Sequence, residues 1–132
     1  MAAGNCAIRQ EVVANVGTFD EDLKLGAEDA EFSLRLEKAG IPIKYVPEAY
    51  AYHEARTTLG SFVRWQLRRG RANYHFRRKV GTVGSLVSLR LWSAGNVLRH
   101  NVNRRLLFIL LLLGMSFSLQ QVGYFQEWWH YG

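Results

Sequence analysis

Val16-Gly17-Thr18-Phe19-Asp20-Glu21 and, shortly after, Gly26-Ala27-Glu28-Asp29-Ala30-Glu31-Phe32 decide how this chain is read. A loop bounded by Gly17 and Gly26 delivers two adjacent carboxylates, Glu28 and Asp29, to the start of a helix. Adjacent residues at a helix start point in different directions, so one faces a cleft while the other contacts protein. The helix N-terminus favours negative charge, which keeps a carboxylate ionised and able to accept a proton. His53 then follows on the next element. A general base beside a metal or a phosphate is built this way.

Working outward, the spacing predicts a helix over 29–39, with Phe32, Leu36 and Ala39 on one face and Arg35 and Lys38 elsewhere. Gly40 is a fitting residue just past its end, and Pro42 a stop. Ile41 to Val46 reads as a strand closed by Pro47, and Ala49 to His53 as a second, tyrosine-rich strand. Cys6-Ala7-Ile8 reads as a short buried strand, followed by a helical turn from Arg9 to Ala14. Thr57 or Thr58 caps a longer helix to about Lys79, with an apolar stripe of Leu59, Phe62, Val63, Leu67 and Tyr74. Leu86 to Leu98 is again amphipathic. Helices interleaved with short strands predict an α/β fold.

The 132 residues suit one domain at most, and 48% hydrophobic residues are enough for a core. The formal net charge of +6 is unevenly spread. Arginines and a lysine recur from Arg56 to Arg105 with no Asp or Glu between them, a block that calls for an anionic partner. Nucleic acid is a poor fit, because aromatics are few between Arg64 and Lys79 and a leucine run follows. Cys6 is the only cysteine, so no internal disulfide forms and nothing argues for an oxidising compartment. The first residues do not read as a signal peptide.

Leu106 to Leu119 is strongly apolar, and extension to Phe125 reaches the roughly 20 residues of a membrane span, at the cost of including Gln120 and Gln121. Arg104-Arg105 abuts this run and Glu127 lies beyond it. The positive-inside rule then puts the Glu28–Asp29 region on the cytoplasmic side of an inner membrane and the aromatic tail on the far side. The chain divides accordingly into 1–80, a basic linker 81–103, a transmembrane helix 104–126 and an aromatic tail 127–132.

Gly4-Asn5, Val16-Gly17-x-Phe19-Asp20-Glu21, Glu28-Asp29-x-Glu31-Phe32-x-x-Arg35, Gly40-x-x-Ile43-x-Tyr45-x-Pro47 and His53 together resemble the second half of a family 2 glycosyltransferase domain of the GT-A fold. The resemblance covers residues 3 to 75 and implies a partial, Rossmann-like GT-A domain, acceptor half only. It implies inverting transfer of a sugar from a nucleotide sugar to a hydroxyl acceptor, either lipid-linked or a growing polysaccharide. Asp29 is the implied base and Glu28 its neighbour in the acceptor pocket, the two roles being exchangeable. Gly4, Asn5 and Asp20 belong to the implied binding surface, and His53 to the site of a Mg²⁺ or Mn²⁺ ion or of the donor diphosphate. Arg56 or Arg69 would grip that diphosphate with the fork geometry of a guanidinium.

Gln66-Leu67-Arg68-Arg69-Gly70 is similar in outline to the Gln-x-x-Arg-Trp motif of processive members, but Gly70 stands where tryptophan would be, which speaks against processivity. The carboxylates before Glu28 (Glu11, Asp20, Glu21 and Asp22) fall in the acceptor-side pattern, leaving the metal-binding Asp-x-Asp and the nucleotide-binding half unaccounted for. The expectation is therefore a fragment that is inactive alone and needs an N-terminal half as partner. The competing reading is a non-catalytic, basic membrane-surface module in which the acidic pair is structural.

Overall fold

Helix punctuation in this chain is strong and the structure follows it. The computed structural model describes residues 3–54, 57–81, 92, 95, 96, 99 and 105–132. A short 3₁₀ turn, Ala3–Asn5, precedes α1 (Gln10–Val16), α2 (Glu28–Lys38), α3 (Leu59–Val80) and α4 (Leu106–Tyr131). α2 ends as its sequence requires. Gly40 takes φ 67°, its N–H donates to Glu37 O (3.0 Å), and the Ile41 N–H reaches back to Leu36 O (2.9 Å). That pair of bonds is a Schellman ending, which satisfies carbonyls the helix leaves open. α3 starts at Thr58, whose Oγ1 accepts from the Ser61 N–H at 3.3 Å.

The α/β expectation is not met: among the described residues there is no strand. Cys6 to Ile8, Ile41 to Val46 and Ala49 to His53 carry no ladder, and almost all of their residues are exposed. A strand exists only where a neighbour takes its N–H and C=O groups, and β-rich composition cannot supply that neighbour. The 41–54 segment instead runs over the surface without regular pairing. The partial GT-A sheet is thus replaced by an all-helical arrangement. Most of the expected linker 81–103, and Arg56, lie outside the described residues.

Among the described residues the buried apolar side chains are Leu23 from the acidic loop, Phe32 and Leu36 from α2, and Ala72, Tyr74 and Phe76 from α3. Phe19 packs its ring on Phe32 with centroids 5.0 Å apart. The dominant helix pair is α3 with α4. Residue numbers rise together along it: Gln66 meets Gln120, Tyr74 meets Tyr124, His75 meets Glu127 and Arg78 meets Tyr131. The two helices are therefore parallel. They touch backbone to backbone at two glycines. A Cβ on Gly70 would overlap Gln120 O and lie 2.9 Å from the Gln120 carbonyl carbon, and one on Gly123 would overlap Leu67 O. Only glycine permits such an approach.

Residues 127–131 of the expected aromatic tail continue α4 without a break. Gln120, awkward in a membrane span, has a structural task. It donates from Nε2 to the buried Gln66 Oε1 at 2.8 Å and accepts from Asn73 Nδ2 at 3.4 Å. A buried amide left alone would cost about 1–3 kcal/mol, so the pair is kept together.

Candidate functional site

The acidic loop between α1 and α2 is fixed by three cations. Arg35 of α2 donates to Val16 O (2.5 Å) and Thr18 O (2.6 Å), while its Nε pairs with Glu31 (2.8 Å). Lys79 of α3 forms ion pairs with Asp20 and, at 3.2 Å, with Asp22. Arg68 of α3 donates to Leu25 O (3.1 Å) and Lys24 O (3.3 Å). Leu23 is buried beneath the loop. The loop ends in two left-handed residues, Gly26 at φ 124° and Ala27 at φ 73°. Ala27 is a non-glycine residue in a region that costs about 1–2 kcal/mol, held there by the surrounding bonds.

This scaffold presents Glu28 and Asp29. Both are half-buried. Asp29 Oδ1 accepts from the Ala30 N–H at 2.8 Å, and its carbonyl accepts from Ser33 Oγ at 2.7 Å. No ion pair with Asp29 or Glu28 forms among the described residues. A carboxylate at a helix N-terminus, half-screened from water and unpaired by a cation, is chemically able to accept a proton.

The other expected residues fall into separate groups. Gly4, Asn5 and His53 come together: a Cβ on Gly4 would lie 3.1 Å from His53 Nε2, and Asn5 Nδ2 donates to Ala49 O at 3.1 Å. His53 is exposed, and no hydrogen bond, ion pair or ring contact joins it to Asp29. Asp20, expected on the binding surface, is engaged by Lys79. Arg69 is exposed on α3 and its guanidinium stacks on the Trp65 ring at 4.8 Å. A shallow depression lined by Arg9, Gln10, Glu11 and Ala14 contains none of the expected site residues. Among the described residues no three His, Cys, Asp or Glu side chains converge to hold a metal ion. His53 alone does not make a Mg²⁺ or Mn²⁺ site, which takes several oxygen-rich ligands.

A protein-family model described as glycosyl transferase family group 2 matches residues 1–130. The chain belongs to that family. No curated protein and no solved structure matches it. In this glycosyltransferase, sequence reasoning quoted Arg35 but gave it no task, and passed over Arg68 and Lys79 as members of a basic face. The available signal was an acidic loop, Asp20 to Asp22, opposite a helix rich in cations.

The Lys79 pin has a pH signature. The ammonium beside Asp20 holds that carboxyl below its ordinary 3.8, helped by the Asp22 N–H, and Asp20 in turn raises Lys79 above its ordinary 10.5. A lowered acid stabilises the fold above its ordinary value and loses that effect as pH falls through its folded value. A raised base does so below its ordinary value and loses it as pH rises through its folded value. The loop is therefore tied across the neutral range and released in acid below 3.8 and in alkali above 10.5. Amide exchange at Asp22 and Leu23 should accelerate at both ends. Lys79→Met should make it fast at neutral pH and remove the alkaline step. Unchanged exchange in that variant refutes the pin.

Proposed function

We propose that this glycosyltransferase moves a sugar from a nucleotide sugar to a hydroxyl of a lipid-linked or polysaccharide acceptor, with inversion, at the cytoplasmic face of a membrane. The chain supplies the acceptor side of the reaction. Asp29 takes the proton of the acceptor hydroxyl. The freed oxygen attacks the anomeric carbon from the face opposite the leaving group, and the bond to the diphosphate oxygen breaks as the new glycosidic bond forms. Nucleoside diphosphate leaves with the electron pair.

The observation that carries this reading is the Glu28–Asp29 step at the start of α2, held by the Arg35, Lys79 and Arg68 contacts. The pinned loop limits the motion of the pair, as a positioned base requires. Arg69, flattened on Trp65, offers a guanidinium of the type that binds phosphate oxygens. Membrane association is supported by α4, which is long and apolar enough to cross a bilayer and whose apolar window is only 6% buried.

The test is transfer by the transferase in its native membranes, with a panel of nucleotide sugars and with lipid-linked or glycan acceptors added or withheld. Release of nucleoside diphosphate should depend on acceptor, and the product should carry the opposite anomeric configuration from the donor. Retention of configuration, or release indifferent to acceptor, refutes the reading.

A further inference from the structure

Along α4 the side facing α3 and the side facing away differ sharply. At about 100° per residue, Ser116, Gln120, Gly123 and Glu127 fall on one side, the side that meets α3. Leu107, Leu111, Val122, Phe125 and Trp129 fall on the other and are exposed from end to end, 80% at Leu107 and 85% at Trp129. The first half of the helix, Leu106 to Leu113, is apolar all round, whereas the second half is tied to α3 by polar bonds. Arg71 reaches Gln126 at 3.0 Å, His75 reaches Glu127 at 3.2 Å, and Arg78 reaches the Tyr131 carbonyl at 3.3 Å.

These contacts constrain how α4 meets a bilayer. α3 carries Arg64, Arg68, Arg69, Arg71, Arg77, Arg78 and Lys79 and stays out of hydrocarbon, so Gln120 to Tyr131 stays beside it. What is left to insert, Leu106 to Leu119, is about 21 Å long at about 1.5 Å per residue, short of the roughly 30 Å hydrocarbon core. Because α3 and α4 are parallel, α3 ends level with the end of α4, whereas α4 begins at the opposite level. An α4 that crossed would require the intervening chain, with Arg90, Arg99 and Arg104, to cross as well.

We infer that α4 seats in one leaflet of an acidic phospholipid bilayer without crossing it. Leu106 to Leu119 lies in the acyl chains, the outer stripe beyond it (Val122, Phe125 and Trp129) rests at the headgroup boundary, and the C-terminal end remains on the same side as Glu28 and Asp29. The basic faces of α3 and the exposed Arg105 complement anionic headgroups, and Trp128 and Trp129 suit the headgroup boundary. This seat would keep the aromatic tail off the far side, where the charge pattern of the sequence alone puts it. This inference rests on the membrane association in the proposed function and goes beyond it by fixing the topology.

Cys6 is exposed on the site side and serves as a native reporter. A second reporter is His130→Cys in a Cys6→Ser background. Sealed vesicles of either orientation, prepared from expressing cells, are treated with a membrane-impermeant maleimide. Both thiols should label in the same vesicle orientation and lose labelling in the other. Labelling of the two from opposite sides, or no labelling of the introduced thiol from either side, overturns the one-leaflet seat while leaving membrane association intact. Failure of the protein to sediment with membranes sinks the association itself, and the inference with it. As a folding-independent check, Leu111→Arg should reduce binding to phosphatidylcholine vesicles containing phosphatidylglycerol, with unchanged helix content. Undiminished binding also counts against the seat.

Discussion

In the complete transferase, Asp29→Asn should lower turnover by about 10²- to 10⁴-fold, the range a positioned general base supplies. The substitution isolates the proton acceptor because it leaves the local structure whole. Asn retains an Oδ1 that accepts from the Ala30 N–H, the bond now 2.8 Å long, and the Ser33 contact goes to the Asp29 backbone. What is lost is the charge, and with it about 0.3–1 kcal/mol of interaction with the helix terminus. That is too little to unfold α2. Acceptor KM should change far less than kcat, since the amide keeps the shape of the carboxylate. Glu28→Gln is the companion measurement. Glu28 makes no side-chain bond among the described residues, so its loss disturbs the fold even less. A large effect at Glu28 with a small one at Asp29 exchanges their roles. Less than a tenfold effect at both removes the base from this helix altogether.

What the sequence revealed about this site was local, and what it hid was not. The ends of α2 followed from Glu28-Asp29 at one side and Gly40 at the other, because caps are written within a few residues of the element they end. Thr58 was one of two legible cap candidates for α3, with Thr57, and it is the one that caps. The strands were not, because Ile43, Tyr45 and Tyr50 give a β-like composition whose realisation depends on a distant partner. The same limit applies to the pins. Arg35 and Arg68 bond to backbone carbonyls at Val16, Thr18, Lys24 and Leu25, acceptors that every residue carries and no side chain advertises. Arginines of that kind read as a solvated face until the chain brings a loop to them. Asp20 was expected to meet a ligand and instead meets Lys79, so its acidity serves the loop that presents Asp29. Gly70 looked like a broken motif. Its reason lies about 50 residues downstream, in the carbonyl of Gln120.

That contact yields the second large effect. In most helices Gly→Ala is favourable, because alanine is better in a helix interior by about 0.8–1.0 kcal/mol. At Gly70 the sign reverses. The added methyl would overlap Gln120 O and meet Tyr124 N at 2.9 Å, both backbone atoms, so no side-chain rotation relieves it. α4 must move as a body, and overpacking of that kind costs about 1–3 kcal/mol or more. Gly70→Ala should therefore lower the melting temperature of the transferase despite its better propensity. Gly123→Ala should do the same through the Leu67 carbonyl, whose carbon would sit 3.0 Å from the new methyl with the oxygen closer still. The two sites face each other across one crossing, so their costs should not add. Once one methyl has parted the helices, the second finds room, and the double variant should be less destabilised than the sum by about 0.5 kcal/mol or more. The polar bonds strung along the same interface, Gln66 to Gln120 and His75 to Glu127, lengthen together in either variant. The buried Gln66 amide then loses its partner, which adds to the cost. Stabilisation by either alanine, or strict additivity of the pair, would mean that α3 and α4 do not meet at these glycines. The common side of the C-terminus and the Glu28–Asp29 pair would then lose its structural basis.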